Sequence, residues 1–143
     1  MLVEKTYTIT EVSQKYNINA NTLRYYERIG LLPRIPRQSN GNRYFTEDLL
    51  KWLEMIICLR HSDISIERLL EYANLLRQGE GTLDARETLL RQQLELLYKK
   101  KQNLQRSIDR LEHKIALYKS GEIAEGNSYY EEYRIFADQS EGD

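Results

Sequence analysis

A leucine recurs at every seventh position in the second half of the chain, and this regularity restricts the fold more than any other feature of the sequence. The repeat runs from Leu83 to a tyrosine at position 118, and apolar residues fill most of the interleaved positions. These spacings are typical of the a and d positions of a coiled coil, sustained over about five heptads along a helix of about 54 Å. The residues predicted to form this seam are Leu83, Leu90, Leu94, Leu97, Leu104, Ile108, Leu111 and Ile115.

A seam of this length requires a second helix of similar length to cover it. The preceding part of a 143-residue chain is too short to supply one, so a second copy of the chain is the simplest source. Lys101 falls on an a position, where a polar side chain lowers stability and restricts the register or the oligomeric state. We therefore predict a homodimer, and the periodicity leaves open whether its two helices run parallel or antiparallel.

The first part of the chain carries start and stop signals for two short helices. Thr8 and Glu11 form the pattern of a capping box, which predicts a helix over about residues 9–16. Asn19 can cap a second helix, which Gly30 ends. Two short helices joined by a turn of three to four residues indicate a helix-turn-helix, whose second helix can project into the major groove of DNA.

A small basic hairpin is predicted after the second helix. Pro33 and Pro36 prevent the helix from resuming, and Asn40 followed by Gly41 is the strongest short signal for a hairpin turn. Helix-turn-helix followed by hairpin is a winged-helix plan. The polar residues expected near the tip of this wing are Arg37, Asn42 and Arg43.

Two more helices follow the wing. Thr46 begins a helix over LLKWLEMIICLR that is apolar on nearly every side, so another element must cover its second face. Ser65 begins the next helix, IERLLEYANLLRQ, which ends at a Gly-Glu-Gly turn. We predict a mainly α fold in three parts: a winged helix-turn-helix head at 1–78, a dimerising coiled-coil helix at 79–121, and a short acidic, aromatic tail at 122–143.

Charge is distributed unevenly along the chain. Residues 1–45 contain seven Lys or Arg against three acids, whereas residues 122–143 contain seven acids against one arginine. A basic first part favours a polyanionic partner, and an acidic last part favours a solvated segment. We expect the tail to be disordered; the alternative is that it docks through its aromatic residues Tyr129, Tyr130 and Tyr133.

Several classes of protein are disfavoured by composition. No apolar run of about 18 residues is present and the start of the chain has no signal-peptide pattern, which predicts a soluble, cytoplasmic protein. One cysteine and two histidines, at positions 61 and 113, do not indicate a metal site, and no cofactor is predicted. No paired carboxylates, activated nucleophile or phosphate-binding glycine loop can be assembled, so we do not expect an enzyme.

The second helix and the wing hold the candidate DNA contacts. Arg24, Arg28 and Arg43 can neutralise phosphates, and the hydroxyl groups of Tyr25 and Tyr26 can donate to phosphate oxygens. Each tyrosine has an alternative role in the core. For Tyr26 that alternative is the stronger one, because it shares a helix face with a leucine three residues earlier and an isoleucine three residues later.

The stretch YTITEVSQKYNINANTLRYYERIGLLPRIPRQSNGNRYF closely resembles the DNA-binding head of MerR-family transcription regulators. In that family the TLRYYE-x-x-GLL run, the wing and an Arg-Tyr-aromatic ending recur together. The resemblance is dense over residues 7–78 and covers the long helix by type. By position it places Thr10, Asn21, Thr22, Arg24, Tyr25 and Tyr26 in the recognition unit, and Arg43 and Tyr44 in the wing.

What the resemblance implies is a dimer held by an antiparallel coiled coil on a pseudo-palindromic operator. Each head would place its second helix in a major groove and its wing against the backbone. Family members commonly sit in an overlong promoter spacer and activate by bending and untwisting it, so that RNA polymerase meets both promoter elements in register. Such a mechanism relies on DNA deformability as much as on base contacts.

The segment MIICLRHSDISIERL resembles that of the aldehyde- and thiol-stress-responsive branch of the family, the NmlR/AdhR type, whose lone cysteine occupies this helix. Cys58 is therefore the candidate effector-sensing residue, with a small electrophile as its partner; Glu54 and His61 flank it at helical spacing. Metal-responsive and drug-binding branches are disfavoured, because residues 79–143 lack cysteine and only some 22 residues follow Gly121. Two alternatives stay open: Cys58 is a packing residue, and the protein is a repressor or architectural DNA-binding protein without cysteine-based sensing.

Overall fold

The computed structural model of the chain describes residues 4–140 and is mainly helical. It divides into two compact units, one up to Leu94 and one from Glu95 onwards. Among the described residues, no helix has both the length and the apolar character needed to cross a bilayer. The elements in chain order are β1 (Tyr7–Thr8), α1 (Ile9–Tyr16), α2 (Ala20–Arg28), β2 (Tyr44–Phe45), α3 (Glu47–His61), α4 (Ile66–Gln78), α5 (Leu83–Ser120) and α6 (Tyr129–Ser140).

The predicted helix starts are confirmed, because each depends on a side chain next to the helix it caps. The Thr8 hydroxyl accepts from the Glu11 N–H and the Glu11 carboxylate accepts from the Thr8 N–H, both at 3.1 Å, which completes the capping box of α1. Asn19 caps α2. Thr46 and Ser65 cap α3 and α4 in the same way.

The sheet differs from the predicted hairpin. β1 pairs antiparallel with β2, with Tyr7 opposite Phe45 and Thr8 opposite Tyr44. The wing itself has a single bridge, between Arg37 and Arg43. Strand β1 was not predicted, because two residues show no alternation and the pairing joins distant parts of the chain.

The core of the first unit lies between α2, α3 and the connection that follows α2. Leu23, Leu31, Phe45 and Leu53 are each completely shielded from solvent. The second apolar face of α3 is covered from within the chain by α4, through its buried Leu69 and Ala73 among others. The prediction that another element covers α3 is thus confirmed.

Helix α5 is a single helix from Leu83 to Ser120, followed by Gly121 at a φ of +82°, as the sequence predicts. The seam residues are largely exposed in the single chain: Leu83 is 71% exposed and Leu104 is 63% exposed. A row of exposed leucines and isoleucines at heptad spacing is the surface that a coiled-coil partner covers.

The tail is helical, so the expectation of disorder was wrong. Ile123 and Leu117 are nearly completely buried, and the His113 and Phe136 rings lie 5.4 Å apart. Within the single chain, docking through the tyrosines is not seen either: the tail is anchored by aliphatic and phenylalanine side chains, whereas its tyrosines are exposed. Those exposed side chains are Tyr129, Tyr130 and Tyr133.

Local capping explains why an acidic segment forms α6. The Ser128 hydroxyl accepts from the Glu131 N–H at 3.2 Å, and the Asn127 amide donates to the Glu131 carboxylate at 3.0 Å. The bond from Asn127 lowers the pKa of Glu131. Acids in the first turn also suit the helix dipole. The acidic composition alone indicated a solvated segment without regular structure. The capping hydrogen bonds explain why the segment is helical instead.

One hydrogen bond joins the end of α1 to the middle of α3. The Tyr16 hydroxyl donates to the Glu54 carboxylate at 2.6 Å. Burial of the ring, and then this bond, raise the pKa of Tyr16 from 10.0 to about 12. The bond's contribution to stability is therefore fully present below pH 10.0 and lost as the pH rises towards about 12.

We expect Tyr16→Phe to lower the free energy of unfolding by about 1 kcal/mol at neutral pH, because it removes the donor of this bond. Chemical denaturation measures the change. Spectrophotometric titration of the folded protein should in parallel lose the phenol with a pKa of about 12. If the titration curve near pH 12 is the same in Tyr16→Phe, the raised pKa belongs to another tyrosine.

Candidate nucleic-acid interface

Helix α2 has two different faces. Leu23 is completely buried and holds the helix against the core, while Arg24, Tyr25 and Arg28 point away from it and are exposed. The Arg28 guanidinium lies 5.4 Å from the centre of the Tyr25 ring. Stacking of this kind holds a cation and a phenol side by side, both suited to phosphate oxygens.

Arg24 is oriented by its own helix. Its guanidinium donates to the Asn21 side chain at 2.8 Å, one turn earlier, and the Asn21 N–H is itself bonded to the cap residue Asn19. Thr22 is half-buried and its N–H is bonded to the carbonyl of Asn19. The first turn of α2 is thereby fixed, which directs Arg24 towards the wing.

A polar groove of about 390 Å³ opens between α1, α2 and the wing. Three guanidinium groups line it, with hydroxyl and amide groups between them, and no carboxylate is among the lining residues. Such a set of donors suits a phosphate backbone. The lining residues are Thr8, Ile9, Thr10, Arg24, Arg37, Gln38, Gly41, Asn42 and Arg43.

The groove brings together five of the residues predicted to contact DNA: Thr10, Arg24, Arg37, Asn42 and Arg43. The wing that carries three of them is stiffened by its own hydrogen bonds. The Arg37 guanidinium donates to the Gly41 carbonyl at 2.9 Å, and the Gln38 N–H donates to the Asn42 carbonyl at 2.8 Å. Gly41 has a φ of +87°, a conformation that glycine adopts without strain.

Three predicted positions require correction. Tyr26 is only 7% exposed and belongs to the core, so its ring supports α2 from beneath instead of facing DNA. Arg37 and Arg43 both lie at the base of the wing and not at its tip, because these two residues form the bridge that closes it. Tyr44 is half-buried in β2 and pairs with Thr8, and its contact with DNA stays a prediction.

Glu27 is a functional candidate that the sequence analysis missed. One carboxylate oxygen accepts from the Arg43 Nε at 2.9 Å, and the other accepts from the Ile35 N–H at 2.6 Å. A signal was available in the sequence, since Glu27 is the only acid of α2, the helix that carries Arg24 and Arg28. A single carboxylate on a surface suited to phosphate indicates that it pairs with another group of the same protein and not with DNA.

The candidate sensing residue lies on α3. Cys58 is exposed in this chain, whereas the packing alternative placed it in a buried helix. Its flanking residues Glu54 and His61 are exposed as well, and Glu54 is engaged by Tyr16. The thiol is therefore accessible to solutes in the single chain.

The helix-turn-helix, its exposed arginine face and the basic wing define a winged helix-turn-helix protein of the kind that binds duplex DNA. Residues 7–76 match the family described as MerR HTH family regulatory protein. With the relatives below, this match shows that the chain belongs to the MerR family of DNA-binding transcriptional regulators.

Three similar proteins illustrate the relationship. AdhR, an HTH-type transcriptional regulator of Bacillus subtilis, is 43% identical over 82 residues, which span 57% of this chain and only 59% of AdhR. An HTH-type transcriptional regulator of Haemophilus influenzae is 35% identical over 113 residues, 79% of this chain and 84% of that protein. The crystal structure of HiNmlR, a MerR family regulator lacking the sensor domain and bound to promoter DNA, is 34% identical with a TM-score of 0.70, covering 82% of this chain and 89% of that one. AdhR and the Haemophilus influenzae protein are HTH-type transcriptional regulators, and HiNmlR is a MerR family regulator.

Replacing Arg24 or Arg28 with alanine should weaken binding to promoter DNA and flatten its salt dependence by about one unit of slope for each lost phosphate contact. Fluorescence anisotropy over a series of salt concentrations measures both quantities. Arg106→Ala is the matched control, because Arg106 is an exposed arginine on α5. If all three variants show the wild-type salt dependence of DNA binding, α2 is not part of the DNA interface.

Proposed function

We propose that this protein is a homodimer that binds a pseudo-palindromic promoter site and bends and untwists it to control transcription. The observation that carries the proposal is the exposed arginine face of α2 beside the basic groove of the wing. In this arrangement α2 enters the major groove while the wing meets the backbone alongside. The similarity to HiNmlR, whose structure contains promoter DNA, supports the same partner.

Dimerisation through α5 is the second part of the proposal. Leu104 and Leu111 are each 63% exposed, and Ile115 is 53% exposed, although all three lie on the heptad seam. Covering such a row with a second copy removes apolar surface from water. We propose the antiparallel arrangement that the family resemblance implies, so that two heads meet two half-sites.

The three functional parts follow from these roles. We assign DNA binding to residues 1–78, dimerisation to residues 79–121 and an accessory role to the tail at 122–143. RNA polymerase is the proposed second partner, reading the promoter that the dimer has distorted. With DNA and polymerase as partners, the expected location is the cytoplasm.

Cys58 is the proposed switch. Its exposure and the polar residues Glu54 and His61 at helical spacing make the thiol accessible to a small electrophile. With an aldehyde, the sulfur would bond to the carbonyl carbon, the carbon–oxygen double bond would become single, and the oxygen would take the thiol proton. The alternative function is a MerR-type repressor or architectural protein in which Cys58 has no sensing role.

Leu104→Lys should weaken the dimer by about two orders of magnitude, because it places a second cation in a seam that already contains Lys101. Sedimentation equilibrium measures the dissociation constant. Leu96→Lys is the matched control, since Leu96 is 50% exposed and lies off the seam. A Leu104→Lys protein that stays dimeric would show that α5 is not the dimer interface.

Cys58→Ser should bind promoter DNA as tightly as the unmodified protein but should no longer change transcription when formaldehyde or methylglyoxal is added. Transcription in vitro from the promoter of the adjacent operon, with and without aldehyde, tests this expectation. Serine has nearly the same shape as cysteine but carries a hydroxyl group in place of the nucleophilic sulfur. Identical responses by both proteins would favour the alternative without cysteine-based sensing.

A further inference from the structure

We infer that Glu27 is a positioning residue that fixes the wing at a set distance from α2, so that promoter DNA deforms and the protein head does not. The inference rests on the proposed function, because it concerns how that distortion is produced. It assigns a role in DNA distortion to a residue that carries the wrong charge to bind a phosphate.

Glu27 joins three separate segments through one carboxylate. It belongs to α2; its Oε2 accepts from the Ile35 N–H at 2.6 Å, and its Oε1 accepts from the Arg43 Nε at 2.9 Å. The Glu27 and Arg43 side chains are only 14% and 19% exposed. A partly buried ion pair with directional hydrogen bonds holds its geometry better than the screened pairs of a protein surface.

The rest of the wing has few other ties to α2. Its base is held by the β1–β2 pairing and by the Tyr44 N–H, which donates to the Pro36 carbonyl at 3.0 Å. The tip, residues 38–42, is exposed and held by bonds within its own turn. In the part of the chain that the structure describes, the side-chain hydrogen bond that joins the wing to α2 runs from Arg43 to Glu27.

A fixed spacing has a mechanical consequence for a bound duplex. In the proposed complex, the exposed face of α2 and the wing contact the duplex at two places, and the proposed distortion follows if a straight duplex cannot meet both surfaces of a rigid head. When the protein is stiff, the deformation falls on the DNA, at a free-energy cost that the contacts repay. When the wing is released, it can follow straight DNA, and binding survives with less distortion.

The two explanations of Glu27 predict opposite changes in DNA affinity when its charge is removed. Neutralising Glu27 removes a negative charge that pairs with Arg43 and lies on the same helix as Arg24 and Arg28, so simple charge considerations predict tighter DNA binding. The positioning role predicts the opposite, because Arg43 loses its partner and the wing loses its tie. A loss of affinity in Glu27→Gln therefore cannot be the loss of a phosphate contact made by Glu27 itself, and it must act through Arg43 and the wing.

The experiment uses the full-length protein and a duplex from the promoter of the adjacent operon, labelled with a donor and an acceptor fluorophore at its ends. The dissociation constant, the energy transfer at saturating protein and the melting temperature of the free protein are measured for wild type, Glu27→Gln and Arg43→Met. Arg37→Met is the matched control, since Arg37 is a wing arginine whose guanidinium donates to the Gly41 carbonyl within the wing.

We expect Glu27→Gln and Arg43→Met each to lose at least about half of the wild-type change in energy transfer, with dissociation constants raised about 3- to 10-fold. A double variant that carries both Glu27→Gln and Arg43→Met, measured in the same way, should be no worse than either single variant, because each substitution removes the same contact. Arg37→Met should lower the salt slope by about one unit and keep the full change in energy transfer.

Three results would overturn the inference. The first is that Glu27→Gln binds the duplex more tightly and keeps the full change in energy transfer. Glu27 would then be only a negative charge that opposes DNA binding. Another is Arg43→Met that behaves like Arg37→Met, which would make Arg43 an ordinary phosphate contact. The third is a large fall in melting temperature in both Glu27→Gln and Arg43→Met, which would make the pair a determinant of the fold. If wild type leaves the energy transfer unchanged, the proposed function is wrong and the inference falls with it.

Discussion

The surface that this protein offers to DNA depends on the burial of one side of a nine-residue helix. Leu23 and Tyr26 hold α2 in the core, and their removal from water fixes the rotation of the helix about its axis. That rotation alone decides that Arg24, Tyr25 and Arg28 face outwards. The basic groove and the ion pair between Glu27 and the wing both depend on this rotation of α2.

Features that depend on neighbouring residues were predictable from the sequence, and features that depend on distant ones were not. The starts of α1 and α3 follow from Thr8 and Thr46, because an N-cap acts within three residues. The pairing of Tyr7 with Phe45 joins two dipeptides that carry no periodic signal. The candidate site divides in the same way: Arg24 was evident from its charge, whereas the role of Glu27 emerged only when Ile35 and Arg43 were seen beside it.

The tail shows how composition and local chemistry can disagree. Its many acids indicated a segment that stays solvated. Its helix nevertheless begins at a Ser128 cap, and Ile123 provides one deeply buried anchor. A few well-placed apolar side chains are enough to order a short acidic helix, while the exposed tyrosines leave its outer surface amphipathic.

The short sheet also bears on how the head is made. Because β1 pairs with β2, the strand at Tyr7 must wait for a partner about 38 residues further along the chain. Helices α1 and α2 form from local contacts within that loop, whereas closing it costs entropy that local contacts do not repay. On a ribosome the two helices can therefore appear early, but the wing reaches its final place only after Phe45 has left the exit tunnel. The basic groove is then a late product of folding, and a nascent chain has little DNA-binding surface until its head is complete.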